Sequence, residues 1–338
     1  ELVNHNRFKL IDDNILDRFN DTLNEISPNV YLIKHNPNNG QLQRCKIYLK
    51  MCEDYYFSAD NLLNLLEGEL ILDEKEYQYL GKSLDFKNII EHKNYNKLKF
   101  KKSTIYYDDG IEIKNKSDEN LLDIYQNKPR SRIYIINGKL ENLKINFNGY
   151  KITSTQKRLD LQRINHDLPI DINGLTGCLS LINLKVKNVS IQANGSGCED
   201  AINLINIEGD INNITIKDSL SDGLDIDFSK LQINNIDISL AYNDCLDLSY
   251  GHYKLKNINL SNCGDKGLSV GEKSSLILDK IKINKADTGI AVKDSSNATI
   301  KYLDVKNSTN CINLYRKKQE FAGAIANLKF INCHNGKI

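Results

Sequence analysis

Through SLSDGLDIDF, residues 219–228, polar and apolar positions alternate with period 2, setting Leu224 and Ile226 inward and Asp222, Asp225 and Asp227 outward. That is the mark of a half-buried strand with its acids on a common solvent face. The pattern returns every 22 residues. DAINLI, DGLDID, DCLDLS, KGLSVG, TGIAVK and NCINLY begin at 200, 222, 244, 266, 288 and 310, and CLSLIN at Cys178 precedes them. In this register Ile202, Leu224, Leu246, Leu268, Ile290 and Ile312 fill the third position, and Leu204, Ile226, Leu248, Val270, Val292 and Leu314 the fifth. The second position is small: Ala201, Gly223, Cys245, Gly267, Gly289 and Cys311, with Cys333 one period on. Asn213, Asn235 and Asn257 also recur at the period, as stacked turn amides would, and a second strand follows in each repeat (NITI, NIDI, NINL, KIKI, YLDV, NLKF). Short strands and stacked like residues predict a mainly β chain, a right-handed parallel β-helix of 22-residue coils. A leucine-rich repeat would need LxxLxLxxN and a helix, and no repeat contains a helical segment.

The first 125 residues follow another pattern. Ile11, Ile15, Leu16, Phe19, Leu23 and Ile26 recur at helical spacing, and SADNLLNLLEGE opens at Ser58 on an N-cap residue. This predicts a smaller mixed α/β region over 1–125 and the β-helix over 126–338, opened by RIYIINGKLENLKINF at Arg132. Tyr150 to Asn173, with Lys157, Arg158, Arg163 and His166, reads as a long polar insertion of the kind that carries function.

Composition narrows the classes. At 338 residues with 40% hydrophobic content the chain can bury a sizeable core. With 45 basic against 44 acidic residues, net +1, no overall charge draws it to nucleic acid or an anionic membrane. The basic run KNYNKLKFKK, 93–102, reads as a solvated surface, and no apolar run is long enough to span a membrane. Eight cysteines without a CxxC pair speak against structural zinc and favour free thiols filling the core over a disulfide framework. The chain is then secreted or periplasmic if a signal peptide was removed, and cytoplasmic otherwise.

Stacked strands lie about 4.8 Å apart, which turns sequence periodicity into rows of neighbours. The first position aligns Asp200, Asp222, Asp244 and Lys266; the fourth Asn203, Asp225, Asp247 and Ser269; the sixth Asp227, Ser249, Gly271 and Lys293. Glu199 and Asp265 add to the rim, and Lys266, Lys273, Lys293, Arg316, Lys317 and Lys318 border the patch. Carboxylates so close raise one another's pKa, bind a hard cation such as Ca²⁺, or share protons in acid/base chemistry. A solvated ladder would have no reason to stop after three coils. Tyr242, Tyr250, His252, Tyr253 and Tyr315 near strand ends are candidates to stack on sugar rings, and Glu272 with Lys273 in GEKS is a further candidate pair or, where the first strand ends, a turn-surface one.

SDGLDID, NDCLDLS, DKGLSVG and GIAVKDS, on successive coils, resemble the motif series of the polygalacturonase family, pectin-cleaving glycoside hydrolases of the pectate-lyase-like β-helix superfamily. That family shows NTDG, DDC, GHGxSxG and RIK in this order. By this resemblance Asp222 matches the Asp of NTDG, Asp244 the second Asp of DDC, and Lys293 the Lys of RIK that binds a sugar carboxylate. The likeness covers 221–294, about a fifth of the chain, and departs at Asn243, Lys266 and Ala291, where the family has its proton-donor Asp, a His and an Arg.

Three readings follow. The first is hydrolysis of a uronate-containing poly- or oligosaccharide, with Asp244 and Asp222 as acid and base, Asp225 or Asp247 assisting, and no cofactor required. Lys293, Asp227, Asp265, Asp200, Glu199 and Arg316 would bind the substrate. The second is elimination or C5-epimerisation by Lys266 as base, with Ca²⁺ held by Asp222, Asp225, Asp244 and Asp247. The third is a non-catalytic carbohydrate-binding or surface-assembly module, as Asn243 hints.

Overall fold

A computed structural model describes residues 22–27, 30–34, 55–58 and 95–337, apart from 117–119, 168, 172–173 and 319–320. Contacts divide the chain into two units: Glu1–Glu91 with Ile170–Leu175 and Arg316–Gly323, and His92–Pro169 with Thr176–Tyr315 and Ala324–Ile338. In the first unit β1 (Thr22–Ser27), β2 (Val30–Lys34) and β3 (Tyr55–Ser58) form an antiparallel sheet in the order β1-β2-β3. Leu23 and Ile26, expected on a helix, therefore lie on β1. Strand pairing outweighs the short helical period, as it does wherever Thr, Val, Tyr and Ile cluster. The preceding positions of that pattern, and SADNLLNLLEGE beyond Ser58, lie outside the described residues.

The second unit is a β-solenoid of about nine turns with coils of about 22 residues. Its sheet opens with β4 (Asn96–Phe100), β5 (Ser103–Tyr107), β6 (Ile111–Lys116) and β7 (Leu121–Gln126), joined partly by antiparallel pairing. The coils proper run through β8 (Ile133–Asn148), β9 (Gly177–Asn194), β10 (Asp200–Ser219), β11 (Asp222–Asp227) and β12 (Lys230–Ala241). They continue through β13 (Leu246–Ser249), β14 (His252–Cys263), β15 (Lys266–Gly271), β16 (Ser275–Lys293), β17 (Asn297–Tyr315) and β18 (Ile325–His334). All of these pair in parallel. Between β8 and β9, the polar insertion forms helix α1 (Thr155–Asp167), whose first turn is capped by Ser154 Oγ accepting the Lys157 amide at 3.2 Å.

The register is the one the repeat predicts. Ile202 pairs with Leu224, Leu224 with Leu246, Leu246 with Leu268, and Leu268 with Ile290, all buried. The second strands stack as Ile214, Ile236, Ile258, Ile281 and Leu303. The second position must be small because a Cβ on Gly223 would lie 2.6 Å from the Cys245 carbonyl and one on Gly289 2.7 Å from that of Cys311. The Asn235 amide donates to Asn213 at 2.9 Å and that of Asn257 to Asn235 at 3.2 Å, which is the expected ladder. Other asparagines, Asn142 and Asn188 among them, occupy left-handed turns that few side chains tolerate.

The expectation of free thiols is overturned. Cys178–Cys198, Cys245–Cys263 and Cys311–Cys333 are disulfides with Cα separations of 5.4, 5.4 and 5.9 Å. Cys333 does not continue the second-position stack that the spacing predicts but pairs with Val305 in the second-strand stack, so Cys311–Cys333 joins two neighbouring coils, while the other two pairs each tie a strand start to the end of its own coil. Cys45 and Cys52 lie outside the described residues. Three disulfides suit an oxidising compartment. Among the described residues no helix is long and apolar enough to cross a membrane.

Candidate functional site

The acids assemble as rows. Asp200 faces Asp222, Asn203 faces Asp225, Asp225 faces Asp247, and Asp247 faces Ser269 across β10, β11, β13 and β15. Row one is also stitched by its own carboxylates. Asp222 Oδ1 accepts the Asp244 backbone amide at 2.8 Å and the Asn243 side-chain amide at 2.7 Å, and Asp244 Oδ1 accepts the Lys266 amide at 3.0 Å. An aspartate at the head of a coil thus holds the head of the next one.

The expected open solvent face is instead a recessed one. Asp200, Asp227 and Asp244 are only 2%, 7% and 4% exposed, and Asp222, Asp225 and Asp247 are half-buried. The insertion packs beside this face. Arg158 of α1 pairs with Asp218 at 2.8 Å and lies 4.3 Å from the Tyr242 ring, while Gln162 donates to the Leu220 carbonyl at 3.1 Å. The helix therefore docks on the turns that precede Asp222 and Asp244. Arg132 donates to the carbonyls of Gly177 and Pro169 at 2.9 and 3.1 Å.

Burial sets the charge states. Desolvation, then repulsion from neighbouring carboxylates, pushes Asp200, Asp222 and Asp225 well above the usual range. Burial also raises Asp244, with Lys266 pulling it back. Asp247 rises by burial and is restrained by Lys293, to about 6. Desolvation works against the charge of Lys293, yet the field of Asp247, Glu272 and Asp244 outweighs it and raises its pKa. Lys266 is likewise raised, because Asp244 and Asp265 outweigh its burial. Its ammonium lies 3.3 Å from Asp244 and is also paired with Asp265. Lys293 Nζ donates to Ser269 Oγ at 2.7 Å and lies 3.9 Å from Asp247.

The expected residues thus fall into two groups. Asp244, Asp247, Asp265, Lys266 and Lys293 interleave acids with cations. Glu199, Asp200 and Asp222 form an all-acid group with one carboxylate oxygen each within 4.8 Å of the others. Of the four aspartates expected to hold a cation, only Asp222 belongs to that trio. Asp225 and Asp227 share the side-chain amide of Asn203, at 3.2 and 3.4 Å. Arg316 belongs to the first unit.

Glu272, expected with Lys273 as a candidate pair or a turn-surface one, is buried and accepts the Ser249 hydroxyl at 2.5 Å. It heads no motif. Its signal is positional, since Phe228, Tyr250 and Glu272 share one phase and the same left-handed φ of 51°, 49° and 48°. Phe228 and Tyr250 stack on each other at 4.8 Å. Tyr253 is a core residue whose hydroxyl donates to the carbonyls of Ile226 and Ser249, and it is removed from the sugar-stacking candidates. Tyr315 is half-buried, and burial raises its phenol while Lys293 and Lys266 pull it back.

The parallel β-helix is common among polysaccharide-active enzymes. Comparison with known proteins gives no matching family model, no similar curated protein and no similar solved structure, so the polygalacturonase likeness rests on the motifs of residues 221–294.

Proposed function

We propose that this cleft hydrolyses a uronate-containing polysaccharide, with Asp225 as acid and Asp247 as the attacking carboxylate. One observation carries the reading: the two aspartates face each other in register, yet Asp225 is held well above the usual range while Asp247 lies at about 6 beside Lys293. Burial and like charge favour the protonated form of Asp225, while Lys293 draws Asp247 back toward its ionised form, and such a division of roles marks an acid and its partner. Neighbouring strands set their backbones about 4.8 Å apart, a spacing that suits the roughly 5–5.5 Å carboxyl separation of retaining enzymes better than the wider gap that admits a water. Asp247 would attack the anomeric carbon as Asp225 protonates the leaving oxygen. Water, deprotonated by Asp225, would then release the sugar. Lys293 and Lys266 would offer positive charge to a substrate carboxylate.

Asp222 and Asp244, expected to carry the reaction, have other duties in holding the next coil and pairing with Lys266. Lys266 as an eliminating or epimerising base has less support, since two carboxylates favour its charged form. The test is incubation with polyuronates of different sugars. New reducing ends without ultraviolet absorbance support hydrolysis. An absorbing unsaturated product, or solvent deuterium at C5 of an intact chain, would replace it with elimination or epimerisation. Saturable binding without turnover would leave a carbohydrate-binding module.

A further inference from the structure

The two acid groups differ in what neutralises them. Asp244 and Asp247 have lysine ammonium groups at 3.3 and 3.9 Å. Asp200 and Asp222 pair with no lysine or arginine of the described residues. Arg132 attracts Asp200 less than burial and Glu199 oppose its charge, and its guanidinium is occupied by the carbonyls of Gly177 and Pro169. Asp200 is 2% exposed, and its Oδ2 has no hydrogen-bond partner. A buried carboxylate oxygen left so is costly unless something binds it. Asp222 is oriented through Oδ1 by Asn243 and the Asp244 amide, which leaves its second oxygen for a ligand.

We propose that Glu199, Asp200 and Asp222 bind a hard divalent cation of the Ca²⁺ class at the end of the cleft away from the lysines. The donor set is all oxygen, which selects against soft metals, and the adjacent Cys198 is committed to its disulfide with Cys178. Its oxygens lie within 4.8 Å of one another, a width that fits across an ion with ligands at about 2.4 Å. Three carboxylates leave coordination positions for water or for sugar hydroxyl and carboxylate oxygens. The inference does not rest on the hydrolytic reading, which needs no metal.

The test uses the purified chain with its disulfides intact and no sugar present. Tb³⁺ is titrated with excitation through tyrosine, of which the chain has 17 against no tryptophan, and Ca²⁺ is added as competitor. Expected are saturable luminescence reversed by Ca²⁺, and a melting temperature that rises with Ca²⁺. Asp200→Asn should weaken Ca²⁺ binding about tenfold or more. Asp279→Asn, on an exposed position of β16, should bind as the parent does. If circular dichroism shows that Asp200→Asn fails to fold, Glu199→Gln carries the same expectation. No saturable binding by the parent chain, or parental affinity in the folded variant, overturns the site.

Discussion

Lys293 Nζ lies 3.9 Å from the Asp247 carboxylate although the two residues stand on coils two turns apart, with Ser269 on the coil between holding the ammonium at 2.7 Å. The cation restrains a carboxyl that burial drives upward, to about 6. A reaction that needs ionised Asp247 gains rate as pH rises through that value. Removing the cation in Lys293→Met lifts the Asp247 pKa, so the acid limb of the kcat/KM profile should move to higher pH. A limb that stays in place would take Asp247 out of the mechanism.

Asp225→Asn and Asp247→Asn should each lower turnover roughly 10²–10⁴-fold. Neither should unfold the chain. A carboxyl whose folded pKa is raised contributes stability that is complete below its unfolded value of about 3.9 and is lost as pH rises through the folded one. For Asp247 that window ends at about 6, so Asp247→Asn should gain melting temperature relative to the parent above it. Proton NMR of the first-formed product should show retained anomeric configuration. Inversion would demand a wider-spaced acid pair than Asp225 and Asp247.

Lys266 and Asp244 form a largely buried pair, and breaking one side leaves an uncompensated charge. Lys266→Met should cost about 3–5 kcal/mol in chemical denaturation. Adding Asp244→Asn should recover much of it. Lys266→Arg should keep turnover if the residue serves as a counter-charge, whereas its loss there, with the fold intact, would return Lys266 to the role of base.

Each disulfide closes a loop of about 20 residues, so each should contribute about 3 kcal/mol by constraining the unfolded chain. Reduction should lower the melting temperature markedly. Cys311→Ser with Cys333→Ser should destabilise β18 first, seen as faster amide exchange there than in β10.

The coil register was readable because inward aliphatics, small second positions and stacked asparagines all repeat at one period, so that Leu224 over Leu246 follows from spacing alone. What the period could not carry is depth. Asp200 and Asp244 look outward in the alternation yet are only 2% and 4% exposed, and no spacing of residues states how deep a face lies. The thiols were misjudged for a related reason: Cys245 and Cys263 are 18 residues apart, off the period, and meet only when one coil closes on itself. Glu272 was visible as a candidate, but its burial was not, because a left-handed turn places it beside Ser249.

Because the backbone of each coil pairs only with those on either side, the solenoid is modular. Copying one 22-residue unit would extend it by a single strand spacing of about 4.8 Å, adding floor without disturbing the coils on either side. Deleting one residue inside a first strand would do the opposite, throwing every acid downstream in that strand out of line with its neighbours. A scaffold of this kind lengthens or shortens by whole turns, and tolerates change at its bends far better than along its strands.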